Sequence, residues 1–272
     1  MGLSETKSLL RTHRILPNKF LGQNFLVDSS LFPKLALYAS LNSDDVVLDA
    51  GAGLGFLTRF LANKCKAVVA VEKDPQVAEV LREQLKEVIN VAIVEGDVLR
   101  VELPAFNKVI SIPPYYFSSH LITWLLARSF NCAVLVLQHE FGRRLIAAKG
   151  TEDYGWLAVV TCHWAEAELL DAVPKWMFHP QPEVDSVVVR LKPWEAPPFP
   201  VKDEFFFRRL VRWLFTQRNK KLSNALGPFI RSERKVDKAE AERIASSILY
   251  GEIRVRELSP KDFGAVANAL IS

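Results

Sequence analysis

The residues best placed to do chemistry begin with a turn of glycines after a short apolar run. Residues 46–48 are apolar, Asp49 follows, and the next six residues read Ala-Gly-Ala-Gly-Leu-Gly. Glycine lets a backbone turn tightly and approach a ligand where a side chain would clash. The periodicity of residues 54–63 predicts a helix. The order strand, glycine turn, helix indicates a nucleotide-binding turn at the end of a buried parallel strand.

Two carboxylates at the ends of the following apolar runs extend this candidate site. Glu72 ends the run 67–71 and lies 21 positions after Gly51, where an acid can hydrogen-bond both hydroxyls of a ribose. Asp97 follows the run 91–94 and can accept a hydrogen bond from an adenine amino group. Together these residues predict a binding site for an adenosine-containing ligand.

The spacing of the glycines distinguishes two classes of adenosine cofactor. Dinucleotide-binding turns have the pattern G-x-G-x-x-G, whereas Gly51, Gly53 and Gly55 give G-x-G-x-G. This difference favours S-adenosyl-L-methionine over NAD, because the methyl donor has no pyrophosphate for a helix N-terminus to bind. A nicotinamide oxidoreductase is therefore the disfavoured alternative.

A loop of prolines and aromatic residues follows the fourth predicted strand. It consists of Ile112, Pro113, Pro114 and Tyr115, and Tyr116 and Phe117 extend its aromatic cluster. Methyl transfer to adenine N6 needs placement and polarisation more than acid–base catalysis, because a sulfonium donor already supplies a good leaving group. The prolines can fix backbone carbonyls that accept hydrogen bonds from the amino group, while Tyr115 stacks on the base.

Further motifs occur along the chain in a fixed order. They are Lys19–Leu26 with Asp28, Asp49–Gly55, Val71–Asp74, Gly96–Leu99, Phe178–Ser186 and Phe215–Asn224. With them the chain resembles the small-subunit rRNA adenine N6,N6-dimethyltransferases, which modify two adjacent adenosines near the 3′ end of that RNA. The resemblance covers nearly the whole chain.

The resemblance implies a fold, a cofactor and a set of site residues. The fold is α/β, a Rossmann-like class I methyltransferase sheet with helices on both faces and a small all-helical C-terminal domain. The implied donor site, for S-adenosyl-L-methionine, comprises Asn24, Leu26, Gly51, Gly53, Glu72, Asp97 and Ile112. Phe178 is implied to pack against the target base opposite Tyr115, and we place it with the 112–115 loop in the catalytic group.

One position departs from the pattern of this family. The family loop reads N-L-P-Y, and Ile112 stands where Asn is expected. Its side chain cannot accept a hydrogen bond, which leaves the backbone carbonyls of Ile112 and Pro113. Loss of one preorganised acceptor raises a barrier by about 2–4 kcal/mol, by analogy with oxyanion-hole donors. We expect transfer that is reduced, supported by the backbone carbonyls, or limited to one methyl group.

Positive charge is concentrated near the C-terminus. Residues 208–235 contain nine Lys and Arg residues against Glu233 alone, although the whole chain has a formal net charge of +4. Such a segment is typical of a surface that binds nucleic acid. The candidate RNA-binding residues are Arg208, Arg212, Arg218, Lys220 and Lys221, and Arg11, Arg14 and Lys19 add a basic N-terminal arm within residues 1–28.

The element pattern predicts two domains. Strands and helices alternate over 46–138, which predicts a parallel sheet, and Trp156–Trp164 and Val184–Leu191 are predicted as further strands, the latter in a closing edge pair. Prolines between 193 and 200 form a joint. Beyond it we predict helices over 204–216, 220–226, 238–249 and 260–271, with Gly227-Pro228 ending the second. The methyltransferase domain is therefore 1–193, and the helical RNA-binding domain is 201–272.

Composition excludes several other classes of protein. The three cysteines are isolated, and the five histidines lack metal-ligand spacing, so we expect neither a disulfide framework nor a metal site. No apolar run is long enough to span a bilayer, and no secretory h-region is present. We expect a monomeric cytoplasmic protein whose partner is small-subunit rRNA or the precursor of the small ribosomal subunit.

Two alternatives stay open at the level of sequence. Large-subunit rRNA adenine methyltransferases share much of this pattern. The V-D-S run at Val184–Ser186 and the predicted helical domain 201–272 favour the small-subunit family. The second alternative is a catalytically weak or inactive RNA-binding factor of the same fold that acts in ribosome assembly, which the isoleucine at position 112 keeps open.

Overall fold

The computed structural model describes residues 2–18 and 21–271, so Lys19 of the predicted basic arm lies outside the described residues. The chain forms two compact units. One contains residues up to 142 together with Ala167–Pro193, and the other contains Arg143–Glu166 together with the residues from Trp194 onward. The break after Pro193 coincides with the predicted joint. Residues 143–166, which the sequence placed in the first domain, belong to the unit that contains the C-terminal helices.

The elements alternate along the first half of the chain, as expected. The helices are α1 (Leu3–Thr12), α2 (Phe32–Tyr38), α3 (Phe56–Ala62), α4 (Pro75–Leu85), α5 (Ser118–Leu125), α6 (His139–Leu145), α7 (Trp156–Trp164), α8 (Glu204–Phe215), α9 (Leu222–Arg234), α10 (Lys238–Ser247) and α11 (Pro260–Ile271). The strands are β1 (Phe25–Leu26), β2 (Val46–Ala50), β3 (Ala67–Glu72), β4 (Val91–Glu95), β5 (Lys108–Ser111), β6 (Cys132–Gln138), β7 (Ala165–Val173), β8 (Phe178–His179) and β9 (Ser186–Pro193).

Seven strands form one mixed sheet in the order β4-β3-β2-β5-β6-β9-β7. The first five strands of that order pair in parallel, and β9 runs antiparallel to β6. Val47, Val68 and Val134 are fully buried, as expected for parallel strands covered on both faces. The predicted α/β fold class is confirmed. The predicted strand near Val184–Leu191 exists as β9, but it lies inside the sheet, and β7 occupies the edge.

A separate two-stranded sheet joins two of the sequence motifs. In it β1 pairs antiparallel with β8, so that Phe25 lies opposite His179 and Leu26 lies opposite Phe178. The N-terminal motif that ends at Leu26 is therefore fixed to the start of the Phe178–Ser186 motif. This pairing brings the N-terminal motif to the carboxyl ends of the central strands.

Two predictions about the later elements are wrong. The run 156–164 was predicted as a strand and is helix α7, whose residues Leu157–Thr161 are all buried in succession. A short run that is apolar all round cannot be assigned by periodicity, because a buried helix gives the same pattern.

Gly227-Pro228 was predicted to end a helix, yet α9 continues through Pro228. The burial of Leu226, Phe229 and Ile230 on both sides outweighs the hydrogen bond that the proline removes.

The helical unit contains a strongly amphipathic helix, α8, which carries two of the predicted RNA-binding residues, Arg208 and Arg212. Asp203 caps α8 by accepting a hydrogen bond from the backbone N–H of Phe206. One face of α8 buries Phe207, Leu210, Val211 and Leu214. The arginines are left on the opposite side. Over the described residues, no helix has the length and apolar character needed to cross a membrane.

Candidate active site

Two adjoining cavities lie at the carboxyl ends of the parallel strands in the α/β unit. The glycine-loop cavity is lined by residues that include Asn24, Leu26, Gly51, Gly53, Glu72 and Ile112. The Asp97 cavity is lined by residues that include Gly96, Asp97 and Leu99. Gly51, Glu72, Lys73, Pro114 and Tyr116 line both cavities. The structure thus brings all seven predicted donor-site residues to one continuous surface.

The glycine loop follows β2 in a conformation that requires glycine. Gly51, Gly53 and Gly55 have φ angles of 89°, 57° and 85°, which residues with a side chain rarely adopt. A Cβ atom on Gly51 would lie 2.8 Å from Cδ of Pro114. The glycine loop and the proline loop are therefore in direct contact, and no larger residue fits at position 51.

Glu72 is held rigidly at the tip of β3. Its carboxylate accepts hydrogen bonds from the backbone N–H groups of Gly53, Lys73 and Asp74, each at 2.9 Å. Burial raises the pKa of Glu72, and those three bonds oppose the shift. A carboxylate has about four lone-pair sites, so one remains for a ligand hydroxyl. Glu72 can therefore bind a ribose and also fix the glycine loop around it.

Asp49 adds a second buried carboxyl group to the wall of the glycine-loop cavity. The hydroxyl of Thr58 donates to its Oδ2 atom at 2.7 Å. Burial raises the pKa of Asp49 to about 7, with the Thr58 bond opposing the shift and the charge of Glu72 adding to it. Near neutral pH this group is half protonated, and a cation bound in the cavity would favour its ionised form.

Asp97 supplies an ionised acceptor in the second cavity. Its carboxylate accepts the backbone N–H of Leu99 at 3.0 Å and the ammonium of Lys73 at 3.2 Å. Burial raises the pKa of Asp97, but the Leu99 and Lys73 bonds outweigh it, so that the net pKa lies below its ordinary value. The position of Asp97 suits an acceptor for an amino group.

The segment from Leu21 to Leu26 forms one wall of the glycine-loop cavity. The Nε2 atom of Gln23 donates to Oδ2 of Asp74 at 2.7 Å, and Oε1 of Gln23 accepts the backbone N–H of Asn18 at 2.8 Å. The Gln23–Asp74 bond fastens this segment to the N-terminus of α4. The sequence identified Gln23 as part of a motif but gave no reason for its side chain.

The side chain of Ile112 lines the glycine-loop cavity and packs against the core that contains Leu26 and Leu57. Pro113 is buried, and Pro114 lies on the walls of both cavities. The proline loop thus stands directly beside the predicted donor site. An apolar side chain occupies the position where the family pattern has an amide.

Tyr115 and Phe178 lie together but line neither of the two cavities. Their ring centroids are 6.3 Å apart with an interplanar angle of 71°, and Phe178 is only 3% exposed. The rings pack edge to face against each other, so in this arrangement no base lies between them. Tyr116, half exposed, lines both cavities. The hydroxyl of Tyr115 is hydrogen-bonded to that of Ser186 at 2.6 Å, a contact that was not predicted from the sequence.

The five predicted RNA-binding residues all lie in the helical unit. The guanidinium groups of Arg208 and Arg212 lie over the indole rings of Trp164 and Trp156, at 5.4 and 5.3 Å. Arg218 donates to two backbone carbonyls, those of Glu152 and Thr151, and is half-buried. Lys220 and Lys221 are exposed. The set therefore contains three exposed cations, Arg212, Lys220 and Lys221, and two half-buried arginines, of which Arg218 holds a loop.

Comparisons with known proteins agree with this arrangement. The sequence profile of the ribosomal RNA adenine dimethylases matches residues 15–268. A probable ribosomal RNA small subunit methyltransferase A from Methanosarcina barkeri is 39% identical over 99% of this chain and 93% of its own. The ribosomal RNA small subunit methyltransferase A of Moorella thermoacetica is 36% identical over 97% and 96%.

Solved structures give the same assignment. A dimethyladenosine transferase from Plasmodium falciparum superposes with a TM-score of 0.73 at 26% identity, covering 89% of this chain and 95% of its own. The 23S rRNA methyltransferase ErmE superposes with a TM-score of 0.64 at 30% identity, covering 92% and 100%. Because the profile spans nearly the full length and the relatives align from end to end, the chain belongs to the ribosomal RNA adenine dimethylase family.

Proposed function

We propose that this protein transfers methyl groups from S-adenosyl-L-methionine to N6 of two adjacent adenosines near the 3′ end of small-subunit rRNA. The observation that carries the proposal is the shared wall of the two cavities. There the glycine loop, the carboxylate of Glu72 and the proline loop meet around Gly51 and Pro114. The family assignment makes the protein an rRNA adenine methyltransferase.

The residues around the cavities fit an adenosine-containing donor. Gly51 and Gly53 line the glycine-loop cavity without side chains, so a ligand can approach the backbone there. Glu72 retains an acceptor site for a ribose hydroxyl, and Asp97 is an ionised acceptor for an adenine amino group. We assign Asn24, Leu26 and Ile112 to the rest of the donor site, because their side chains line the same cavity.

The chemistry that we propose is direct transfer between bound partners. S-adenosyl-L-methionine supplies a methyl group already activated by the positive sulfonium. The protein places the target nitrogen in line with that methyl group, which accounts for most of the rate advantage in reactions of this kind. We assign the backbone carbonyls of Ile112 and Pro113 as acceptors for the hydrogens of N6. Tyr115 and Phe178 remain our proposed aromatic pair for the base, and binding between them requires the two rings to separate from their edge-to-face contact.

In this proposal the helical unit binds the same RNA. Arg208, Arg212, Lys220 and Lys221 would bind phosphates, and the exposed cations give such binding a strong dependence on salt. We propose that the protein acts as a monomer in the cytoplasm on rRNA within a precursor of the small ribosomal subunit. The relatives named for the small subunit support this choice over a large-subunit substrate.

Mass spectrometry of rRNA adenosines tests the proposal directly. Small and large ribosomal subunits that lack N6 methylation are incubated separately with the protein and isotopically labelled donor. We expect label on adenosines of the small-subunit RNA alone, and none with a Glu72→Gln variant. Label only on the large-subunit RNA would identify the large-subunit activity. Donor binding without label on any RNA would identify a binding factor instead of an enzyme.

A further inference from the structure

Lys73 occupies a position that the proposed chemistry does not use. It follows Glu72 at the end of β3 and lines both cavities. Its backbone N–H donates to Oε1 of Glu72 at 2.9 Å, so its side chain starts from a fixed point. Its ammonium lies 3.2 Å from Oδ2 of Asp97, the predicted acceptor for the adenine amino group.

The Lys73–Asp97 pair presents a donor and an acceptor side by side at the cavity wall. Adenine offers the complementary pattern, because its amino group donates and the ring nitrogens beside it, N1 and N7, accept. An ammonium has three donor hydrogens, of which Asp97 and the hydroxyl of Tyr116 use two. Lys73 can therefore donate to a ring nitrogen while Asp97 accepts from the amino group.

The location of this pair distinguishes it from an ordinary surface ion pair. Side chains that pair in open solvent contribute little, because water and salt screen them. The side chain of Asp97 is 24% exposed and that of Lys73 is 48% exposed, and both residues line the Asp97 cavity. Asp97 foremost, and then the Tyr116 hydroxyl, raise the pKa of Lys73, so its ammonium stays charged at neutral pH.

We propose that Lys73 is a specificity-determining residue for the methyl donor, and that its ammonium donates a hydrogen bond to a ring nitrogen of adenine next to the amino group held by Asp97. The inference rests on the proposed function, since it takes the bound ligand to be adenosine-containing. Lys73 would recognise a ring nitrogen of adenine by donating a hydrogen bond to it. The carboxylate of Asp97 cannot do this, because it has no hydrogen to donate.

The test is calorimetric titration with S-adenosylhomocysteine and with its 1-deaza and 7-deaza analogues, each of which replaces one ring nitrogen by carbon. We expect wild-type protein to bind one of the two analogues about tenfold more weakly than the parent, as for a hydrogen bond to a charged group. In Lys73→Met the parent should bind about tenfold more weakly, and the difference between parent and that analogue should disappear.

An Arg82→Met variant is the matched control, because Arg82 forms an ion pair with Glu95 at 2.6 Å and lines neither cavity. It should bind all three ligands as wild type does. If Lys73→Met weakens the three ligands by one common factor, or changes none of them, the ammonium does not contact the ring and the inference is overturned. Absence of binding of S-adenosylhomocysteine to wild-type protein would instead contradict the proposed function itself.

Discussion

The hydroxyl groups of Tyr115 and Ser186 are 2.6 Å apart, and Ser186 is fully buried at the start of β9. The bond ties the proline loop after β5 to the V-D-S run, which is about 70 residues further along the chain. It gives a physical reason for serine in that run. Burial raises the pKa of Tyr115 to about 12, so the phenol is neutral and its hydrogen bond persists throughout the physiological range.

Replacing Ser186 by Ala should slow methyl transfer without weakening the binding of the donor. The buried Tyr115 hydroxyl would lose its partner, at a cost of about 1–3 kcal/mol, and the ring would lose its fixed position. We expect kcat to fall about tenfold with the donor Kd unchanged. Tyr115→Phe removes the same bond from the other side and should give a similar fall, with little further loss in the double variant. An equal loss of donor affinity would show that Ser186 supports the whole unit instead.

Replacing Ile112 by Asn should increase the rate of transfer, most of all for the second methyl group. The amide restores an acceptor for the hydrogens of N6, and one such group contributes about 2–4 kcal/mol to comparable barriers. We expect at least a tenfold gain in single-turnover rate, measured with labelled donor. Ile112→Val, which shortens the side chain without adding an acceptor, is the control. If both variants lose activity alike, packing at this position matters more than polarity.

Donor binding should depend on pH through Asp49. Its pKa is near 7 in the folded protein, above its ordinary value, so its contribution to the free energy of unfolding falls as pH rises from about 4 to 7 and then levels off. A cationic donor lowers the pKa of Asp49, so affinity should rise with pH up to about 7, with release of protons on binding, and should level off above that pH. Titration calorimetry in two buffers of different ionisation enthalpy measures that release. Asp49→Asn should lose most of the pH dependence, and a flat profile in wild type would contradict the assignment.

The bond between Gln23 and Asp74 should hold the N-terminal segment against the donor. Gln23→Met keeps the length of the side chain and removes its amide, and one lost hydrogen bond is worth about 1 kcal/mol. We expect donor affinity to fall about fivefold in calorimetry. Gln76→Met, at an exposed position on α4, is the control. Unchanged affinity in Gln23→Met would mean that the pairing of β1 with β8 is enough to hold the segment beside the cavity.

The cations of the helical unit should separate into two functional groups. Charge reversal at Lys220 and Lys221 should weaken RNA binding at least tenfold and reduce its dependence on salt, with the donor Kd unchanged. Reversal at Arg218 should also lower the melting temperature, because its guanidinium donates to the carbonyls of Thr151 and Glu152. Filter binding over a range of salt concentrations, with a thermal melt of each variant, makes the comparison. Loss of donor affinity in the double lysine variant would indicate a role in folding.

Sequence patterns predicted which residues line the two cavities, because those residues follow parallel strands. The glycines and acids were placed at or just after the carboxyl ends of predicted strands. In a parallel sheet these ends lie at the same edge. Gly51, Glu72 and Asp97 therefore lie together as the sequence indicated. Their proximity follows from topology and needs no detail of packing.

Contacts between distant segments could not be predicted in the same way. The Tyr115–Ser186 bond and the Lys73–Asp97 pair depend on which side chains meet after folding, and no local pattern encodes that. Strand β7 contains Glu166, Glu168 and Asp171 and has the composition of an exposed helix or loop, so its place at the sheet edge was missed. Helix α7 was missed because burial on all sides removes the amphipathic period.

A crystal structure of the protein with S-adenosylhomocysteine and adenosine monophosphate tests the central claim most directly. We expect the ribose of the cosubstrate product on Glu72, its adenine beside Asp97, and N6 of the nucleotide next to the carbonyls of Ile112 and Pro113. Tyr115 and Phe178 should have separated from their edge-to-face contact and should lie against the target base. A cosubstrate bound elsewhere, or a nucleotide whose N6 points away from the sulfur, would contradict it.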